Sequence, residues 1–194
     1  MIRVSLNELA VRMSRALQGV GLPAGVADDA AAIVAWHDIA GLDGISQLRA
    51  ALPRLRPAAC EPPAMTDADG APGIDADGES LLVLGGVLVD WIECASTGTD
   101  QPIGLTNARD LGLVGGVAAL AADRGLPATF RASAEGTAYH AVSDGGTVRF
   151  AFVPDTEAGP APTGRVEAWT AIDLGRWPPA GAGHVLDPDD LAEH

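Results

Sequence analysis

Three side chains of this sequence could transfer protons in an enzyme reaction: His37, Asp43 and His140. An imidazole titrates near neutral pH and a neighbouring carboxylate can tune its pKa, so these residue types suit general acid/base catalysis. Each histidine also has a structural interpretation. His37 suits a hydrogen-bonded position on an amphipathic helix, and His140 suits packing across neighbouring strands. The sequence therefore nominates these residues as catalytic candidates and leaves the reaction open.

Four further residues could hold a substrate: Trp36, Arg49, Arg131 and Trp177. A guanidinium can bind a carboxylate through two parallel hydrogen bonds, and an indole offers an apolar wall with one N–H donor. Trp36 and Trp177 each adjoin a turn rich in Gly or Pro, whereas core packing is the expected role of the other two tryptophans. These residues predict a pocket for a small acid or an amide-like metabolite.

The sequence lacks the signatures of several kinds of site. All twelve basic residues are Arg, so no lysine is present for a Schiff base or a phosphate-binding loop. The glycine-rich stretch 112–116 falls within a predicted helix, where its glycines suit helix packing better than dinucleotide binding. Asp-Ala-Asp-Gly occurs at 67–70 and 75–78, but EF-hand spacing is missing, which favours an acidic loop over a calcium site. We therefore predict no cofactor and no metal.

Charge and hydropathy limit the classes of partner. A net charge of −14, with 26 acidic residues, repels nucleic acid and anionic membrane surfaces. The longest apolar run, 81–89, is about half a membrane span, and no signal peptide is recognisable at the start. Cys60 and Cys94 match no metal or disulfide spacing, so we expect two free thiols in a reducing compartment. These features predict a soluble, cytoplasmic protein.

The first 57 residues predict a module of three helices. Ser5 and Glu8 form a capping box ahead of apolar residues at helical spacing. A second helix begins after Pro23 and closes at Gly41, and a third is expected from Ile45 to Leu55 with its apolar residues inward. Tight glycine-containing turns join these helices, which predicts a compact unit.

Residues 58–79 are acidic and rich in Pro and Gly, so we expect a linker loop here. The segment 81–92 is apolar on all sides and must be buried, either as a helix or as a strand; it would also suit a homodimer interface. A helix is predicted over 107–124, ending at Gly125.

Alternating apolar residues predict antiparallel strands at 128–132, 137–143 and 147–153, with a turn at Asp144-Gly145-Gly146 between the last two. Residues 154–164 are expected to form a loop, 165–171 a last strand or short helix, and 177–183 a rigid and then flexible tail. The predicted fold class is α+β. The helical module 1–57 packs on an α/β part, 80–194, that contains an antiparallel β-hairpin or sheet, in one compact unit.

Four short motifs occur together near the N-terminus: Val4–Glu8 (Val-Ser-Leu-Asn-Glu), Gly21–Pro23, Trp36 and Gly41–Gly44. Near the C-terminus, Gly-Ala-Gly at 181–183 precedes an acidic Asp-Pro-Asp-Asp. Together these motifs resemble the uncharacterised bacterial family DUF3726, whose members open and close with similar stretches. This resemblance names a family and implies no activity.

A fainter likeness covers residues 5–56, which resemble the helical N-terminal part of the malate/L-lactate dehydrogenase-like NAD(P)-dependent oxidoreductases. Those proteins carry a Gly-hydrophobe-Asp-Ser-His-Gly-hydrophobe stretch, and its His is thought to be the catalytic acid/base. Here Gly41-Leu42-Asp43-Gly44-Ile45 resembles the same turn without the Ser-His pair. The resemblance implies a shared helical scaffold more than a retained hydride transfer.

Two functions are compatible with these observations. The first is a small-molecule enzyme that uses acid/base chemistry on a small acid or amide-like metabolite without a nucleotide cofactor. The second is a non-catalytic partner subunit of a metabolic enzyme, or a ligand-binding relic of a dehydrogenase-like scaffold. A cavity that brings Asp43 and a histidine together would favour the first, and an exposed apolar patch with scattered histidines would favour the second.

Overall fold

A computed structural model of the chain describes most of its length. The described residues are 5–55, 64–68, 71–95, 103–134, 137–144, 146–154, 164–169 and 184–186. They form helices above one mixed β-sheet, so the predicted α+β class is confirmed.

The helices begin and end as follows: α1 Leu6–Gly19, α2 Ala24–Ile39, α3 Gly44–Ala51, α4 Leu81–Ala95 and α5 Val114–Asp123, with short 3-10 turns at Leu52–Arg54 and Leu111–Leu113. The Ser5 hydroxyl caps α1 by accepting the Glu8 N–H at 3.2 Å, as the capping motif predicts. The Glu8 carboxylate pairs instead with Arg12, one turn further along α1.

The strands are β1 Ala64–Ala68, β2 Ala71–Asp75, β3 Ile103–Ala108, β4 Pro127–Ala134, β5 Thr137–Asp144, β6 Val148–Pro154, β7 Gly164–Trp169 and β8 His184–Leu186. Their order in the sheet is β1-β2-β3-β7-β4-β5-β6-β8. β2 and β3 run parallel and are connected through α4, whereas the other neighbouring strands are antiparallel. The strands predicted at 128–132, 137–143 and 147–153 are present as β4, β5 and β6.

Helix α2 lies at the centre of the helical layer. It contacts α1, α3, α4 and α5, and α5 in turn packs on β4, β5 and β6. Because other helices cover it on several sides, α2 is buried well beyond one stripe, including Ala31 and Ala35. The hydrophobic core extends to the sheet through the buried side chains of Phe130 on β4 and Phe150 on β6.

Arg124 links three helices at one corner of this layer. It follows the last turn of α5, bonds to Asp90 of α4, and lies 3.9 Å from Asp29 of α2 and 3.8 Å from Glu93 of α4. Burial raises the pKa of Asp29, and the neighbouring Arg124 guanidinium opposes that shift. This ion-pair cluster joins α2, α4 and α5.

The linker expected at 58–79 is wrong in part, because β1 and β2 form a hairpin within it. The register pairs Ala64 with Asp75 at one end of the hairpin and Ala68 with Ala71 at the other. The acidic, proline-rich composition of this stretch obscured the strands. The second Asp-Ala-Asp-Gly copy ends β2 in a turn, with Asp77 and Gly78 at φ 47° and 76°.

The structure decides the segment 81–92 in favour of a helix. Most of its apolar residues are buried within the chain's own core, which leaves little apolar surface for the homodimer interface suggested above. Its two glycines allow α2 and α5 to approach: a Cβ at Gly85 would lie 2.7 Å from Ile33 and one at Gly86 would lie 2.1 Å from Asp29.

Two predicted helix boundaries are also wrong. The helix expected over 107–124 begins only at Val114, because Asn107 and Asp110 adopt left-handed φ angles of 56° and 58° between β3 and α5. The third helix ends at Ala51, and Ile45 and Leu52, expected inward, are 46% and 38% exposed.

Candidate functional site

A cleft of about 590 Å³ opens where three parts of the fold meet. Its walls come from α3 with the following 3-10 turn, from the connection between β3 and α5, and from the start of β5. The lining residues are Gln47, Ala50, Arg54, Ala108, Arg109, Asp110, Leu111, Gly112, Thr137 and Tyr139. A volume in this range is typical of sites that bind small molecules.

An ion pair crosses one side of the cleft. Arg54 bonds to one carboxylate oxygen of Asp110 at 2.8 Å, and the Ser80 hydroxyl donates to the other at 2.6 Å. Ser80 also accepts the Leu82 N–H at the N-terminal end of α4, where the helix dipole favours negative charge. The Asp110 side chain is 14% exposed, whereas that of Arg54 is 47% exposed.

Arg109 is the second arginine among the described lining residues. Its backbone is fixed, because its N–H donates to the Glu79 carbonyl at 3.0 Å and its carbonyl accepts the Leu81 N–H at 3.0 Å. Its guanidinium lies beside Gly78, where a Cβ would come within 3.3 Å of it. Among the described residues, no carboxylate forms an ion pair with Arg109.

The remaining wall combines an amide with an aromatic ring. Gln47 donates to the Leu42 carbonyl at 2.8 Å, which holds its side chain in place. Tyr139 packs against Phe150, with ring centroids 6.4 Å apart. A Cβ at Gly112 would lie 3.4 Å from the Gln47 oxygen and 3.7 Å from the Tyr139 ring, so glycine keeps the space between them open.

This arrangement suits a small anion. Among the described residues, the lining includes two arginines and one acid, so the cleft offers more donor capacity than that acid uses. The Tyr139 ring offers an apolar surface beside these charges. The cleft can therefore hold a molecule that carries a carboxylate at one end and a compact carbon body at the other.

His37 does not line this cleft. It is fully buried on α2, and its Nε2 accepts the Gly116 N–H at 3.1 Å in the first turn of α5. Nδ1 has no hydrogen-bond partner of good geometry in the described part of the chain. Burial lowers the pKa of His37 to about 4, and the nearby Leu113 carbonyl opposes this shift more weakly. His37 thus acts as a neutral acceptor that caps α5.

Three other candidates lie on the same helical side without joining the cleft lining. Asp43 is exposed and precedes α3 with a left-handed φ of 56°, and Arg49 is exposed on α3. Trp36 is half-buried and packs edge-on against His37 and Phe150. The structure therefore does not bring Asp43 and His37 into one cavity within the described residues.

Arg131 and His140 are brought together. They are direct cross-strand partners on β4 and β5, and both are half-buried. Because side chains alternate along a strand, His140 points to the opposite sheet face from Tyr139, whose ring packs against Phe150 below the helices. The backbone of Glu167 pairs with Arg131 on the other side. This pair is a second polar location, separate from the cleft.

The last substrate candidate, Trp177, lies outside the described residues, as do the loop interior 155–163 and the tail 177–183. His184 belongs to β8, where its backbone pairs with that of Phe152. The segment 165–171 is a strand over 164–169.

The sequence did not indicate Arg54, Arg109 or Asp110. Arg54 and Asp110 are 56 positions apart, and neither belongs to a motif. One signal was available: Asn107 and Asp110 are residue types that tolerate left-handed backbone, and they sit where a helix had been predicted to begin. A strand-to-helix turn at that point would have placed Arg109 at the end of a strand.

The family model for DUF3726, a protein family of unknown function, matches residues 4–80. The predicted resemblance to DUF3726 is confirmed over that stretch. It covers α1, α2, α3 and the β1–β2 hairpin, and therefore includes Arg54 and Ser80 but not Arg109 or Asp110. No curated protein matches the chain.

Several solved structures with the same fold are dehydrogenases. Malate dehydrogenase from Pyrococcus horikoshii OT3 is 17% identical with a TM-score of 0.61, covering 83% of this chain and 52% of that one. A dehydrogenase from Sinorhizobium meliloti is 16% identical with a TM-score of 0.62, covering 81% and 53%. Sulfolactate dehydrogenase from Methanocaldococcus jannaschii is 15% identical with a TM-score of 0.58, covering 79% and 51%.

These likenesses establish the fold alone, and this chain spans about half the length of each dehydrogenase. The predicted dehydrogenase-like scaffold is confirmed at that level. Over the ranges that the structure describes, the helices are each too short or too polar to traverse a lipid bilayer. The same ranges contain no group of three His, Cys, Asp or Glu side chains arranged to hold a metal ion.

Proposed function

We propose that this chain binds a small carboxylate metabolite in the cleft between α3 and the β3–α5 connection. Arg109 makes the first contact with the carboxylate, and Tyr139 packs against the carbon body of the ligand. The observation that carries the proposal is Arg109, which belongs to the lining of a cavity of ligand size and forms no ion pair with a carboxylate among the described residues.

One further observation supports this proposal, and the charge of the protein limits where a carboxylate could bind. The fold is that of dehydrogenases named for malate and sulfolactate, which are small organic acids. The protein's net charge of −14 makes it a poor binder of anions in general. Binding of a carboxylate therefore needs a local concentration of positive charge, and Arg54 and Arg109 supply one.

The test is isothermal titration calorimetry with succinate and with L-malate as probes. We expect saturable binding by the wild type and about tenfold or greater weakening in Arg109→Gln, because a hydrogen bond to a charged group contributes about 1.5–3 kcal/mol. Arg12→Gln is the matched control, since Arg12 is an exposed arginine of α1 with one carboxylate partner. Equal affinity in Arg109→Gln and the wild type would refute the assignment.

Acid/base catalysis without a nucleotide cofactor is a separate proposal that comes from the sequence. Of its three candidates, His140 best suits contact with a substrate, because it is half-buried beside Arg131 whereas His37 is enclosed in the core. Asp43 is exposed and is distant in sequence from Arg131 and His140. A reaction carried by His140 would be lost in His140→Gln and retained in Asp43→Asn.

A second candidate function is that of a non-catalytic partner subunit. The observation in its favour is the exposure of two large apolar side chains close together in sequence, Ile45 in the first turn of α3 and Leu52 directly after its last residue. A dehydrogenase-fold enzyme that co-purifies with the wild type but not with the double variant Ile45→Ser, Leu52→Ser would support it. Retention of that enzyme by the double variant would oppose it.

A further inference from the structure

Among the described residues, the lining of the cleft contains one carboxylate, Asp110, which already pairs with one of two arginines. Asp110 bonds to Arg54 at 2.8 Å, and both residues belong to the lining of the cleft. Asp110 accepts from the Nη2 end of the Arg54 guanidinium, and a ligand carboxylate that binds this same end would displace Asp110. The two anions therefore compete for one guanidinium.

We propose that Asp110 is an internal competitor that sets the affinity of the cleft for anions, and that Arg54 exchanges Asp110 for the ligand on binding. This inference rests on the proposed function and adds a second step to it. Arg109 engages the ligand first, and Arg54 then leaves Asp110 to complete the site. We call the Arg54–Asp110 ion pair the latch. It is closed in the free protein, where Arg54 is bonded to Asp110.

The two partners differ in their freedom to move. Asp110 is held by the Ser80 hydroxyl at the N-terminal end of α4 and by a left-handed backbone with φ 58° and ψ 39°. Arg54 lies on a short 3-10 turn, is 47% exposed, and carries a long side chain with several rotatable bonds. The side chain that moves in the exchange is therefore Arg54.

The fixed position of Asp110 has a second consequence. After the exchange, Asp110 keeps the Ser80 hydrogen bond and the helix dipole of α4, so its charge remains stabilised without Arg54. The exchange costs one partly exposed ion pair, which is a small penalty of the kind that a ligand carboxylate can offset. Anions that bind the cleft weakly leave the Arg54–Asp110 ion pair intact, whereas a ligand held by Arg109 breaks it.

The decisive variant is Asp110→Asn. Asparagine tolerates left-handed backbone and its amide oxygen still accepts from Ser80, so the local structure is kept while the competing charge is removed. We expect Asp110→Asn to bind succinate about two- to fivefold more tightly than the wild type, as the loss of a partly exposed ion pair implies. Asp90→Asn is the matched control, because it also removes one acid paired with an arginine but lies on α4 outside the cleft.

The second readout is the NMR signal of the Arg54 side-chain Nε–H, assigned by its loss in Arg54→Lys. We expect this signal to move on adding succinate to the wild type, and to differ in Asp110→Asn before any succinate is added. An unchanged or weakened affinity in Asp110→Asn, with normal binding by the wild type, would overturn the latch and leave the proposed function standing. Absence of succinate and L-malate binding in both proteins would overturn the proposed function itself.

Discussion

The imidazole of His37 lies in the core, where its Nε2 atom accepts the Gly116 N–H and so satisfies a donor in the first turn of α5. A helix leaves its first N–H groups without partners inside the helix, and here a side chain from α2 supplies the acceptor. Protonation would remove this acceptor and place a positive charge at the positive end of α5. The lowered pKa and the structural role therefore have the same origin.

This role predicts a specific loss of stability in acid. The pKa is about 4 in the folded protein and 6.5 when exposed, so only the unfolded state gains the proton as pH falls from 6.5 towards 4. Stability is unaffected above pH 6.5 and decreases below it. Between pH 7 and pH 5 we expect His37 alone to cost the folded state about 2 kcal/mol, since one pKa unit corresponds to about 1.4 kcal/mol.

Urea unfolding of the wild type and of His37→Gln at pH 7 and pH 5 measures this loss of stability. Glutamine can place an amide oxygen near the position of Nε2 but does not titrate, so the variant should lose less stability on acidification by about the amount above. The other titrating groups are common to both proteins and cancel. Parallel losses in the two proteins would contradict the assigned pKa.

Residue types alone could nominate His37 and His140 for proton transfer, but they carried no information on burial. The sequence around His37 reads equally well as an exposed or an enclosed helix, because Ala-rich stretches have little amphipathic contrast. A different reason explains why the sequence did not indicate Arg54, Arg109 and Asp110. Each is an ordinary surface residue type, and only the tertiary fold brings Arg54 and Asp110 within 2.8 Å.

At the scale of elements, glycines of α3 and α5 allow these two helices to approach α2 closely. A Cβ at Gly116 of α5 would lie 2.6 Å from the Ile33 carbonyl oxygen, and one at Gly44 of α3 would lie 2.2 Å from the Val34 carbonyl oxygen. Both contacts are with backbone, which cannot rotate away. The expectation that the 112–116 glycines serve helix packing is therefore confirmed for Gly116.

Gly116→Ala should destabilise the protein by about 1–3 kcal/mol, the usual cost of overpacking a tight core. Gly25→Ala is the control: it also lies in a helix, but no atom comes within 4 Å of its Cβ position. There the lower backbone entropy of alanine should stabilise the protein by about 0.5–1 kcal/mol. Thermal unfolding of both variants measures these effects. A melting temperature of Gly116→Ala at or above that of the wild type would contradict this packing.

Local signals predicted the elements that have clear boundaries. The capping box of α1 and the alternating apolar residues of β4 to β6 gave the correct structure. The uniformly apolar segment of α4 had no period, so only its packing between α2 and β3 decides for a helix. The parallel pairing of β2 with β3 depends on a crossover through α4, and no local pattern encodes it.

At the scale of the whole molecule, the chain has the fold of malate- and sulfolactate-type dehydrogenases over about half their length. A helical layer rests on one mixed sheet, and the cleft forms where α3, the β3–α5 connection and β5 meet. This placement links the fold to the proposed function, because the same connection that ends β3 supplies both Arg109 and Asp110. The second polar location, Arg131 with His140, involves two strands of the same sheet.

The most direct measurement is a crystal structure of the protein soaked in succinate. We predict a succinate carboxylate in the cleft, within about 3 Å of the Arg109 guanidinium, with Arg54 turned from Asp110 towards the ligand. Succinate bound beside Arg131 and His140, with the cleft empty at saturating concentration, would contradict the central claim that the arginine-lined cleft is the binding site.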